Sequence, residues 1–135
     1  MHYNLGLLLL KQNRLAEAAA QFKTELQIQP EDLQARYDLA VALLHANDTS
    51  GGMVELERVL KAQPDNADAN YEYGKAQLAA GHVQSAIDHL EAAARRAPDK
   101  PYVHYQLARA YQQAQRTRDA NREFRKVKEL RGIGQ

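Results

Sequence analysis

At 135 residues, with 44% hydrophobic and 26% charged side chains, the chain has the length and composition of one ordinary globular domain. Seven glycines and four prolines, placed mostly as punctuation, argue against disorder, and the absence of cysteine excludes a disulfide framework, a thiol nucleophile and any cysteine-containing metal site. The formal net charge of +1 conceals an asymmetry: residues 1–67 carry 6 basic and 9 acidic side chains, residues 68–135 carry 12 and 8.

The chain begins with MHYNLGLLLLKQNR, which lacks the basic leader and small-residue cleavage site of a signal peptide and whose Leu5–Leu10 segment is apolar on all sides. No apolar run is long enough to span a bilayer, which predicts no membrane insertion. An all-round apolar helix calls for burial on both flanks. Leu7, Leu8 and Leu10 are therefore candidates for an end-to-end or self-association face.

Spacing then dominates. Pro30, Pro64 and Pro98 lie 34 residues apart, as do Tyr3, Tyr37, Tyr71 and Tyr105. A period of this length is the mark of a stacked repeat. First helices are predicted near 1–12, 33–46, 67–80 and 101–114, and second helices near 15–28, 49–62, 83–96 and 117–130. Each proline follows a second helix and stops it, and Asp32, Asn66 and Asp99 are the N-cap candidates that follow.

Three local departures carry expectations. In the second repeat, Gly51 and Gly52 fall where helix formers belong, so that helix is expected to start late or fray. In the third, Gln77 stands in an apolar position, leaving Leu78 and Tyr73 to pack there. The fourth repeat has no terminal proline, so its second helix is expected to continue to Gly132. That helix is polar over much of its surface, as a terminal cap should be.

The residues at fixed offsets in each copy resemble the tetratricopeptide repeat pattern W-x2-L-G-x2-Y…A-x3-F…P. The first copy supplies His2, Leu5, Gly6, Leu9, Ala18, Phe22 and Pro30; the third supplies Asn70, Tyr73, Gly74, Gln77, Ala86, Leu90 and Pro98. The second supplies Arg36, Leu39, Ala40, Leu43, Gly52, Leu56 and Pro64, and the fourth His104, Leu107, Ala108, Tyr111, Ala120 and Phe124. The resemblance covers essentially the whole chain. It implies an all-α fold, a right-handed α-α superhelix of eight antiparallel helices in four helix-turn-helix repeats. The expected organisation is a single domain, 1–135, with repeats 1–30, 31–64, 65–98 and 99–132, cut from a longer bacterial-type array and short at its start.

The same resemblance implies a concave face lined by first helices, where ligands of the family bind. In this register the groove candidates are Tyr37, Val41, Leu44, Tyr71, Lys75, Leu78, Tyr105, Arg109 and Gln112, with Tyr3 and Tyr102 beside them. Tyrosine offers an apolar face and a hydroxyl, which suits peptide recognition, although in the family it also packs adjacent first helices. Lys75 and Arg109 either pair with a ligand carboxylate or are simply solvated. The lysine–asparagine clamp for a terminal carboxylate is not matched, since Tyr3, Leu7, Val41, Asp68 and Glu72 occupy its positions. The asparagine ladder of other members is matched only at Asn4.

Catalysis has no candidate. The five histidines include no i, i+4 pair and no HExxH, so they are read as unrelated surface residues and no metal is expected. No phosphate-binding loop, dinucleotide fingerprint or nucleophile elbow occurs, and no cofactor is implied. The basic segment 116–135 contains one aromatic, Phe124, assigned to the core, which speaks against nucleic acid. The expected function is a non-catalytic scaffold that holds a protein or peptide partner. The alternatives are a spacer or self-association segment of a longer array, and a recruiting module of a larger enzyme. The compartment is left open, with the cytoplasm favoured.

Overall fold

The computed structural model describes residues 2–11 and 14–132, with the backbone alone for residues 2–4. The side chains of His2, Tyr3 and Asn4, which the repeat register singles out, therefore lie outside the described residues. Among the described residues there are eight α-helices and no strand: α1 (His2–Lys11), α2 (Leu15–Ile28), α3 (Leu33–His45), α4 (Thr49–Ala62), α5 (Ala67–Ala79), α6 (Val83–Arg96), α7 (Pro101–Gln113) and α8 (Thr117–Gly132). Each predicted helix is present, with ends within two residues of the predicted ones. They divide into two compact units, residues 1–62 and 63–135.

The helix ends have local causes. Ladder formation stops ahead of Pro30, Pro64 and Pro98, whose rings cannot continue it. Asp32 caps α3 by accepting from the Ala35 N–H at 3.0 Å, and Asn66 caps α5 by accepting from the Ala69 N–H at 2.9 Å. Asp99 does not cap α7. That helix opens with Pro101 at its first turn, which moves the cap position to Lys100, whose side chain makes no capping bond. Proline has no N–H to satisfy and its fixed φ suits the first helical residue, so it set the start.

The turns inside the pairs repeat too. Asn47, Gly81 and Gln115, 34 residues apart, all adopt a left-handed backbone with φ of 68°, 87° and 62°. The next N–H reaches back five residues: Asp48 to the Leu43 carbonyl at 2.8 Å, His82 to Gln77 at 2.9 Å and Arg116 to Tyr111 at 2.8 Å. This is the Schellman closure, which satisfies carbonyls orphaned at a helix end.

In the first unit, Leu9 of α1, Ala18, Ala19 and Phe22 of α2, and Leu39 and Ala42 of α3 form the core, with Leu7, Leu10, Leu26 and Leu43 packed against it. The second helix of this unit's second pair does not fray: α4 begins at Thr49. Asp48 accepts from the Gly51 N–H at 3.0 Å and its carbonyl accepts from Gly52 at 3.0 Å, which pins the first turn. Gly52 has a packing reason that outweighs its poor propensity. A Cβ there would lie 2.7 Å from Leu44 Cγ and 3.1 Å from the Ala40 carbonyl, so only glycine allows this approach of α3 and α4.

The second unit repeats the scheme. Its core gathers Leu78, Ala86, Ile87, Leu90, Leu107, Ala110, Tyr111 and Ala120. Burying one such leucine is worth about 1.5–3 kcal/mol. α8 runs to Gly132, two residues past the usual limit, because no proline stops it.

Candidate functional site

Three helix pairs are tied by the same polar latch, which determines the side of the first helix left free. The residue at the pattern's tryptophan position bonds the carbonyl of the proline six residues before it and a polar side chain 19 residues after it. In α3, Arg36 donates from Nη2 to the Pro30 carbonyl at 2.9 Å and from Nη1 to Glu55 at 2.6 Å. In α5, Asn70 donates to the Pro64 carbonyl at 2.9 Å and accepts on Oδ1 from His89 Nδ1 at 2.9 Å. In α7, His104 Nε2 lies 2.7 Å from the Pro98 carbonyl oxygen and Nδ1 lies 2.7 Å from a Glu123 carboxylate oxygen, each within hydrogen-bond reach.

The last of these is the most enclosed, with side-chain exposures of 4% for His104 and 3% for Glu123. Burial pushes the Glu123 carboxyl up, but bonds from His104, Lys126 and Arg122 outweigh it and hold the carboxyl below its ordinary range. His89 is pushed the other way. Its half-buried ring lies 4.6 Å from the Tyr73 ring, and burial lowers its pKa against the weaker opposing effect of Asp88. The reading of His89 and His104 as surface residues is therefore corrected: each closes a helix pair. The spacing held the signal, since positions 36/55, 70/89 and 104/123 are polar at both ends in each of these repeats.

On the other side of α5 and α7 lies a strip of tyrosines and cations. Tyr71 meets Tyr102 edge to face with centroids 4.9 Å apart. Lys75 Nζ stands 5.4 Å from the Tyr71 centroid, and Arg109 Cζ stands 6.0 Å from the Tyr105 centroid. These are the same repeat positions, one repeat apart, in the same cation–π arrangement. Tyr105 in turn lies 6.1 Å from Phe124 of α8. Tyr102 and Tyr105 are 44% and 41% exposed, large apolar surface left open to a partner. Burial, Glu72 and then Tyr102 push the Tyr71 hydroxyl up to about 12, so it stays a neutral donor through the physiological range. Lys75 shares its charge with Glu72 at 3.6 Å. Among the described residues no acidic side chain forms an ion pair with Arg109, which is exposed, as is Gln112 one turn on.

Two groove candidates belong to packing. Leu78 is 5% exposed and sits in the core with Leu90 and Leu107. The Gln77 position beside it left Leu78 as the apolar side chain to turn inward, so it does not face a ligand. Leu44 packs over Gly52 of α4 and is half-buried. Tyr37 and Val41, on α3 of the first unit, are half-buried. In α1, Leu7 and Leu10 pack against the first core, whereas Leu8 is 52% and Leu5 44% exposed. No helix among the described residues is long and apolar enough to cross a membrane.

The family model described as tetratricopeptide repeat matches residues 9–78 and 77–130. Among solved structures, a double mutant of MamA RS-1 is 24% identical, with TM-score 0.89 over 98% of this chain and 75% of that one. A further MamA crystal structure is 20% identical, with TM-score 0.88 over 98% and 78%. MamA 41-end from Desulfovibrio magneticus RS-1 is 24% identical, with TM-score 0.87 over 98% and 75%. At these identities the likeness is one of fold. No curated protein matches the chain. The chain belongs to the tetratricopeptide repeat family and has its all-α fold.

Proposed function

We propose that the chain is a non-catalytic protein-interaction scaffold, and that the α5–α7 strip of Tyr71, Lys75, Tyr102, Tyr105 and Arg109 receives a peptide or helix of a protein partner. The observation that carries this reading is the pair of tyrosine–cation contacts at one repeat position, Lys75 on Tyr71 and Arg109 on Tyr105. Latches bury the opposite sides of these helices, so the strip has no packing duty that would require its charges. Tyrosine rings supply contact area at small entropic cost, and a cation resting on a ring is pre-oriented for a carboxylate. Gln112 of α7, one turn beyond Arg109, extends the proposed surface within the second unit.

The test is the double variant Lys75→Ala/Arg109→Ala, compared with the native chain for binding of a partner isolated on it. A loss of about tenfold or more, with unchanged helical content and unfolding midpoint, is expected for two partly desolvated charge contacts. Equal binding by the double variant refutes the assignment.

A second reading is favoured by the exposed Leu5 and Leu8 of α1, which present apolar surface that a second copy of the chain would cover. Sedimentation velocity over a hundredfold concentration range decides it. A concentration-dependent rise in sedimentation coefficient that Leu8→Lys abolishes supports self-association; a constant monomer value removes it.

A further inference from the structure

The three latches share one register but differ in their chemistry towards protons. Arg36–Glu55 pairs a permanent cation with a carboxylate. In His104–Glu123 both ring nitrogens face oxygen acceptors, the Pro98 carbonyl and the carboxylate, so a carboxylate stands directly against the ring. Asn70–His89 differs from both. The Asn70 amide nitrogen donates to the Pro64 and Asn66 carbonyls at 2.9 and 3.1 Å, which orients Oδ1 as the acceptor and His89 Nδ1 as the donor. No carboxylate completes this latch. A charge on His89 would rest between Asn70 and the Tyr73 ring, with neither able to neutralise it.

We infer that the Asn70–His89 latch is an acid-sensitive opening point, at which mild acidification loosens the α5–α6 pair while α3–α4 and α7–α8 stay closed. Protonated His89 gains hydration by leaving its site, so open states of this pair take up protons that the closed state resists. The lowered pKa from burial agrees with this. Of the charged groups on α5, α6 and α7, Asp88 beside it on α6 acts on His89, opposing the shift without reversing it. Glu72 and Lys75 of α5 pair with each other. Because the folded pKa lies below the ordinary value near 6.5, the latch contributes stability above that pH and loses it as pH falls through the folded value. The α7–α8 latch opens only when Glu123 is protonated, and that carboxyl sits below the usual carboxylate range.

Hydrogen exchange of the full chain, corrected for intrinsic rates and read at pH 7.5 and 5.5, tests this. Protection of α5 and α6 amides is expected to fall several-fold, with that of α3–α4 and α7–α8 unchanged. His89→Gln, which keeps a donor for Asn70 but cannot titrate, should abolish the loss. Equal loss in all three pairs, no loss in any, or loss that persists in His89→Gln each overturns the inference. An NMR titration of the native His89 ring checks it independently of any variant: a midpoint at or above the free-histidine value overturns it.

Discussion

Substituting Glu123 by alanine removes the acceptor for His104 Nδ1 in the most enclosed polar contact of the second unit. The pair is 2.7 Å apart and both side chains are at least nine-tenths buried, so the truncation leaves His104 Nδ1 without its acceptor in a largely closed site. Removing one partner of such a pair costs about 3–5 kcal/mol, most of it the penalty of an uncompensated buried group. The partial exposure of Arg122 and Lys126, 47% and 46%, lets those two partners re-solvate and adds little. Urea unfolding followed by circular dichroism, with hydrogen exchange on α7 and α8 to localise the effect, measures it. With a slope of about 2 kcal/mol/M, the midpoint of the second unit should fall by roughly 2 M. Replacing both residues with leucine should recover most of the loss, because no buried side-chain polar group is left unpaired and the carbonyl of the exposed Pro98 can turn to water. A cost for Glu123→Ala below about 1 kcal/mol, the range of an exposed ion pair, refutes the reasoning.

Gly74→Ala should destabilise the second unit by about 1–3 kcal/mol despite alanine's better helix propensity, since the new Cβ would stand 2.7 Å from Cγ of the fully buried Leu90 and 3.2 Å from the Ala86 carbonyl. Thermal unfolding gives the sign directly. Gln115→Gly should stabilise by about 0.5–1 kcal/mol, because a side chain at φ 62° is strained and glycine is not. The mirror change Gly81→Ala, at φ 87° with open space around it, should cost about 1 kcal/mol for the same backbone reason. The Glu123 carboxyl lies below its ordinary value in the folded chain, so its contribution is complete above about pH 4.5 and is lost as pH falls through the folded value. An acid unfolding curve of Glu123→Gln should therefore be flatter below pH 4.5 than that of the native chain.

Much of the fold was legible because helix geometry is local. The 34-residue recurrence of proline and the i, i+3/i+4 apolar spacing place every helix, and Asp32 and Asn66 mark two of the starts. Where two local signals compete, the three-dimensional context decides between them. Asp99 reads as a cap until Pro101 claims the first turn, and Gly51-Gly52 reads as a weak start until Asp48 pins it. In the site, Lys75 and Arg109 were found by their shared repeat position, yet their resting places on Tyr71 and Tyr105 depend on rotamers and helix docking. Leu78 shows the limit from the other side. Its register suits an exposed strip, but a polar Gln77 next to it changes which of the two side chains the core takes.

The sequence by itself determined the pairing of helices and the family, because each follows from residues close together or from a period that the chain repeats. The tertiary structure alone decided the fate of the polar residues at the tryptophan position. Arg36, Asn70 and His104 look like departures from an apolar pattern, and each proves to be one end of a bond to a side chain 19 residues away. A polar group's cost or benefit depends on what meets it after two helices dock; the constant 19-residue offset marks both ends as polar, and only docking brings them into a bond.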